Sequence, residues 1–287
     1  MKQKRSKTSF IWFVVIFLIG AGILFYPTIS FWLADYNHVV AHQTYGRNVT
    51  SLTESEKTAL WEMAVYYNER LVESVVKDPF ANTENVVPFD EYEETLNIGD
   101  DVMGYIHIPK INVLLPIYHG VSDEVLEQGV GHIPATALPV GGEGTHCVLT
   151  GHTGLNHAKM FNDLIEMRQG DEFYLEILNQ TLAYKVTAVE VVLPDDISSL
   201  QREDGKDKVT LVTCTPHGVN SHRLLVTGER VPYTGGVEQT RSNDKARFPY
   251  WILLVVFITV ISVLAIGRRM KKQKRNNKNI TTNTKGS

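Results

Sequence analysis

Apolar positions along this chain fall into three textures. Two stretches are almost unbroken: Phe10 to Leu33 and Phe248 to Ile266. Each reaches the roughly 20 residues that an α-helix needs to cross a bilayer. Tyr26-Pro27 and Phe31-Trp32 at the end of the first form an interfacial collar where a signal peptide would carry a small-residue cleavage site, so residues 10–33 are expected to be an uncleaved transmembrane helix and 248–266 a second one. The second texture has a helical period. From Thr53 to Val76, Leu60, Ala64, Tyr67, Leu71 and Val75 recur on one face, and Thr53 with Glu56 forms a capping box. Asp78-Pro79-Phe80 ends that helix, because the residue before a proline avoids the α conformation.

The third texture begins at Val102, with short apolar runs separated by Gly, Pro, Asp and Asn. The strand candidates are Val102 to Ile108, Val113 to Tyr118, Cys147 to His152, Glu172 to Leu178, Ala183 to Leu193, Lys208 to Cys214 and Arg223 to Pro232. Their spacing predicts a mainly β domain, a closed or nearly closed antiparallel barrel. Ser122 to Gln128 and Ala158 to Met167 are expected as short helical insertions. The chain therefore divides into a basic tail (1–9), a membrane helix (10–33), a helical extension (34–97), a barrel domain (98–235), a linker (236–247), a membrane helix (248–266) and a second basic tail (267–287).

Charge sharpens the topology. The net charge of −4 hides two termini that carry no acidic residue: Lys2, Lys4, Arg5 and Lys7 in front, eight further Lys and Arg from Arg268 to Lys285 behind. Taking those twelve from the 28 Lys and Arg leaves 16 against 32 acidic residues in the middle. Such a balance argues against nucleic-acid binding. By the positive-inside rule both termini are expected in the cytoplasm, with the middle outside a plasma membrane crossed twice.

Candidate chemistry concentrates at the ends of the apolar runs. Thr210 to Cys214 ends in a thiol, and Arg223 opens the next run nine residues later. Leu149-Thr150-Gly151-His152-Thr153-Gly154 sets a histidine at the end of another run between two glycines. A thiol attacks only as thiolate and needs a basic or cationic neighbour. Cys214, His152 and Arg223 thus form an acyl-transfer set, and the same residue types also fit a buried structural cysteine, a strand-end histidine and a surface arginine. Cys147 lies mid-run, as a small core residue does. A zinc site from His146, Cys147 and His152 is disfavoured, since strand alternation puts the first two on opposite faces. Gly141-Gly142-Glu143-Gly144 precedes no helix and is a strand-leading turn, not a phosphate loop. His132 and His222 sit within the motifs that follow.

Leu149 to Gly154, Thr210 to Cys214 and Arg223 are similar to the three signature segments of sortases, membrane-anchored transpeptidases of Gram-positive cell surfaces. Ile108-Pro109-Lys110-Ile111, His119-Gly120, Gly129-Val130-Gly131-His132 and Thr215 to Leu225 further resemble the pilus-assembling class C members, and the match covers most of residues 75–232. The resemblance implies a closed eight-stranded β-barrel with helices in its connections. It implies Cys214 as the nucleophile that cleaves an LPXTG-like sorting signal, His152 as acid and base, and Arg223 at the oxyanion. It also implies a lid at 78–80, in which Asp78 pairs with an active-site arginine and Phe80 covers the thiol. The implied partners are LPXTG-type pilin or surface-protein substrates, an amine acceptor (a pilin lysine or a cell-wall peptide) and the bilayer, with no metal or organic cofactor. Peptidoglycan anchoring and simple thiol hydrolysis are the alternatives. Thr153 stands where many class C members carry arginine, and His217 where tyrosine is common, which places a second imidazole three residues past Cys214.

Overall fold

The computed structural model describes residues 5–71, 88–99, 101–155, 158–235 and scattered positions from 250 to 268. The chain falls into two compact units, residues 1–32 with 247–287, and residues 33–246. Helix α1 (Arg5–Ser51) is the one helix among the described residues long and apolar enough to cross a membrane. In its first half Ile16, Leu18, Ile23 and Leu24 are exposed apolar side chains. Positions of the predicted second span are described too sparsely to show a second crossing, although those from Trp251 to Arg268 are helical. Within that unit the rings of Phe25 and Trp251 lie 6.0 Å apart.

The helix predicted over 10–33 does not stop at Leu33. It runs on because its later turns have a surface to cover: Tyr45 and Val49, four residues apart on one face, are buried in the core of the second unit. The Tyr45 hydroxyl donates to the Met103 carbonyl (3.0 Å) and accepts from the Leu178 N–H (3.1 Å). One turn earlier, His42 Nε2 meets Glu176 Oε2 at 3.0 Å. Helix α2 (Glu54–Arg70) opens on the expected capping box, Thr53 Oγ1 accepting from the Glu56 N–H and the Glu56 carboxylate from the Thr53 N–H. Ala64, Tyr67 and Leu71 of the predicted stripe are buried, and Leu60 packs partly against the same core. Burying a large side chain of this kind is worth about 1.5–3 kcal/mol. Asn68 ties the helix down: its amide donates to the Leu138 carbonyl (3.2 Å) and accepts from the Leu138 N–H (2.7 Å).

Eight strands follow: β1 (Val102–Ile108), β2 (Val113–His119), β3 (Val130–His132), β4 (Thr145–Thr150), β5 (Glu172–Ile177), β6 (Gln180–Val192), β7 (Asp207–Thr215) and β8 (His222–Val231). They close into a barrel in the order β1-β2-β3-β4-β7-β8-β6-β5. The expected strands are present within one to three residues at each end. The expectation of a purely antiparallel barrel is corrected at two seams, β2 with β3 and β4 with β7, which run parallel. Both seams join strands separated by a crossover, the first through α3 (Asp123–Gln128), capped by Ser122 Oγ accepting from the Val125 N–H. β3 escapes the pattern because three residues buried on every side show no alternation.

The predicted helix from Ala158 to Met167 is also corrected. Only Leu164–Glu166 is helical, as a single 3-10 turn. The Phe161 N–H, which a helix would spend four residues back, goes instead to the His152 carbonyl at 3.1 Å. Inside the barrel, Cys147, Leu149, Val209, Leu211, Leu224 and Val226 belong to one continuous core. On the outer face of the same strands, Val148, Val212 and Leu225 form a smaller cluster with Ile133, Ala135 and Leu200.

Candidate active site

Strand order and register bring the three sequence-predicted residues together. Thr150 is the β-partner of Val212, so His152, two residues on, faces the end of β7 where Cys214 stands two residues beyond Val212. Across the next seam Cys214 pairs with Arg223. Period-two alternation puts all three on the outer face, directly above the Val148, Val212 and Leu225 cluster. Each side chain therefore sits at a strand end, over a packed floor, with a loop beside it.

Arg223 is 8 % exposed, and its Nη1 donates to the carbonyls of Asn220 and His222, each at 3.1 Å. Those bonds hold the fork at the rim of the β7–β8 loop and fix its direction. Cys214 is half-buried. Burial lowers the pKa of His152, and the carboxylates of Asp123 and Glu127 on α3 oppose that shift. The imidazole is thus mostly neutral at pH 7, with an acidic helix placed to stabilise its charged form. The sequence offers Asp123, beside Ser122, only as a candidate helix cap and gives Glu127 no role, since nothing in their spacing connects α3 to the end of β4.

Other cysteines and histidines separate cleanly from this group. Cys147 is 2 % exposed inside the barrel, and burial pushes its thiol well above the usual range, so it suits a core residue and not a nucleophile. His146 points to the opposite face, as alternation predicted, its Nε2 2.7 Å from Thr210 Oγ1 and its Nδ1 2.9 Å from the Gln201 carbonyl. His132 is fully buried: Nε2 donates to the Ala137 carbonyl (2.9 Å), leaving Nδ1 to accept from the Tyr92 hydroxyl (2.8 Å). Its role is structural, and burial drives its pKa down to about 3. The His222 ring lies beside Ser221, Nδ1 to Oγ 2.9 Å. Among the described residues no group of three or more His, Cys, Asp and Glu is arranged for a metal ion. Asp78 and Phe80 lie outside the described residues.

The two positions that depart from the class C pattern face each other. Thr153 Oγ1 is 3.4 Å from His217 Nδ1, and the imidazole lies against Gly154, whose φ of +90° puts it in the left-handed region. His217 therefore bridges from the β7–β8 loop to the segment after His152. Thiol, imidazole and guanidinium in a row on a firm floor can attack a carbonyl, move a proton and hold an oxyanion.

A family model described as the sortase domain matches residues 106–231. The chain is 39 % identical to the sortase C of Streptococcus pneumoniae, whose solved structure bears on catalysis and on pilin substrate specificity; the match covers 67 % of this chain and 97 % of that one, with a TM-score of 0.63. With sortase C-1 of Actinomyces oris the identity is 49 %, the cover 63 % and 100 %, and the TM-score 0.58. The sortase A of Bacillus anthracis is 32 % identical over 130 residues, which make up 45 % of this chain and 60 % of that relative's length.

Proposed function

The chain belongs to the sortase family of cysteine transpeptidases, as a class C member, and from that premise we propose that it assembles pili by joining one pilin subunit to a lysine amine of the next. The observation that carries the reading is the row of His152, Cys214 and Arg223 across β4, β7 and β8. In this reading the Cys214 thiolate attacks the threonine carbonyl of an LPXTG-like sorting signal. The C–S bond forms, Arg223 stabilises the oxyanion, and the peptide C–N bond breaks as the His152 imidazolium protonates the leaving amine. A lysine amine of a second pilin then attacks the thioester, His152 takes its proton, and the thiolate leaves with a new isopeptide bond formed.

Support for the pilin assignment is the likeness to the pneumococcal sortase C, at 39 % identity over 97 % of that chain. The resemblance also leads us to assign Asp78 and Phe80 to a lid, which predicts faster alkylation of Cys214 when both are replaced by alanine. The topology we propose has two spans, 10–33 and 248–266, both termini in the cytoplasm and the barrel outside. Protease shaving of intact cells would then cut the middle and spare the C-terminal tail. Incubating the enzyme with candidate pilins tests the chemistry: a ladder of covalent multimers supports polymerisation. An adduct with a cell-wall amine alone would make it an anchoring sortase, and hydrolysate alone a thiol hydrolase.

A further inference from the structure

His152 lies just past the end of β4, where the ladder no longer fixes the backbone. Something else must hold it, since a group that transfers protons has to be placed to within about 0.5 Å. Four contacts from one dipeptide, Phe161-Asn162, surround it. The Phe161 N–H donates to the His152 carbonyl at 3.1 Å. The Phe161 ring, fully buried, seats on the bare backbone of Gly151, where an added Cβ would come within 2.8 Å of Cδ2. Asn162 Oδ1 accepts from the Gly154 N–H at 2.7 Å and from the Thr153 hydroxyl at 3.4 Å. On the other side Gly151 is tied to β7, its N–H donating to the Val212 carbonyl (3.1 Å) and its carbonyl accepting from the Thr213 hydroxyl (2.7 Å).

We infer that Asn162 is a positioning residue for His152, acting with Phe161 as a backbone clamp that fixes where the imidazole stands over Cys214. This rests on the proposed role of His152 as acid and base. Residues 151, 152 and 154 are each bonded through the backbone, so the clamp sets position and not chemistry. It also accounts for the failure of a helix to form from Ala158 to Met167, because the Phe161 N–H is turned toward the His152 segment instead of back along its own turn. Gly151 is required for the same reason: any side chain there displaces the ring that closes the clamp.

The test is steady-state and single-turnover kinetics on a sorting peptide, with the full chain in detergent or bilayer discs, comparing Asn162→Ala, Asn162→Asp, His152→Gln and the pair Gly151→Ala and Gly151→Ala/Phe161→Leu. Asn162→Ala is expected to lower kcat by about 10-fold to 100-fold with KM little changed, since misplacement by about 1 Å costs up to this much. Asn162→Asp keeps the acceptor oxygen and should recover most of the loss. Gly151→Ala should be impaired and the double variant partly rescued, because leucine withdraws the ring atoms that the new methyl meets. Loss of activity in His152→Gln with full activity in Asn162→Ala would overturn the clamp and leave the acid/base reading standing. Full activity in His152→Gln would overturn that reading itself. An equal kcat loss in Asn162→Ala and Asn162→Asp, with both folded, would also overturn the clamp.

Discussion

Two rows of side chains cross the same three strands on the same face of the barrel, and they behave as opposites. The lower row is His146, Thr210 and Thr227: the imidazole meets the first hydroxyl at 2.7 Å, and the two hydroxyls meet at 2.8 Å. The upper row is His152, Cys214 and Arg223. The rows offer an imidazole on β4 or just past its end and a small polar side chain on β7, and between them lies the apolar floor of Val148, Val212 and Leu225. Below the floor every donor is spoken for and burial drives the His146 pKa down to about 4. Above it, the histidine is half-buried and two carboxylates counter the effect of burial. Residue type does not decide which histidine can move a proton. Depth of burial separates the two: at His146 desolvation outweighs the Gln201 carbonyl and the Glu203 carboxylate, which favour the charged form, whereas His152 is only half-buried.

The largest break in that comparison comes from exchanging thiols. Cys214→Ala is expected to abolish acyl-enzyme formation, a loss of at least about 10³-fold, while Cys147→Ala keeps most activity and gives up on the order of 1 kcal/mol of stability from a small cavity. Mass spectrometry of the trapped thioacyl species with each variant checks it. Equal loss from both, in folded proteins, would remove Cys214 from the upper row.

Next in size is Arg223→Lys. The charge stays, but a lysine cannot direct its donors as the fork tethered to Asn220 and His222 does, so kcat is expected to fall by about 10²–10³-fold. A variant with kcat near that of the parent protein would mean that positive charge alone is needed there.

How much of this was legible in the sequence depends on whether the signal was local. Seven strands, both short caps and the placing of a thiol, an imidazole and a guanidinium at strand ends were readable because each rests on alternation, a capping residue or the end of an apolar run. β3 was not, since Val-Gly-His is too short and too fully buried to alternate. The helix beyond Leu33 was missed because Tyr45 and Val49 gain their meaning only from a barrel more than 50 residues further along. Asp123 and Glu127 were invisible for the same reason, since their charges act on His152 only once the barrel has closed, whereas Asn162, eight residues from Gly154, was missed because it lay inside a stretch read as helix. The predicted helix over Ala158 to Met167 failed where tertiary demand outbid local propensity, the Phe161 N–H being drawn to His152.

Acid stability probes the lower row together with the buried His132 of β3. The folded pKa values of His132, about 3, and His146, about 4, lie below the ordinary histidine value of about 6.5. The unfolded chain therefore binds more protons in that window, and stability present above pH ~6.5 is lost as pH falls toward the folded values, at up to about 1.4 kcal/mol per pH unit for each group. His146→Gln should be less stable than the parent at pH 7, by about 1–3 kcal/mol for the disturbed buried bonds, with the gap narrowing on acidification. Denaturant unfolding at pH 7 and pH 5 reads it, and a constant gap would show that His146 is not held neutral.

The smallest effect sharpens the upper row. Asp123 and Glu127 favour the imidazolium of His152 against burial, so replacing both by Asn and Gln removes that support and the His152 titration is expected to move further down in pH. Working in the Cys214→Ala background removes the thiol from the titration, so that the imidazole is followed without a coupled partner. NMR titration of the His152 ring then gives the midpoint directly, and raising the salt should shrink the difference between parent and double variant, because both carboxylates are exposed and screened. A midpoint that does not move at low salt would mean that the carboxylates of α3 leave His152 untouched, and one that rises would mean that they do not favour its charged form.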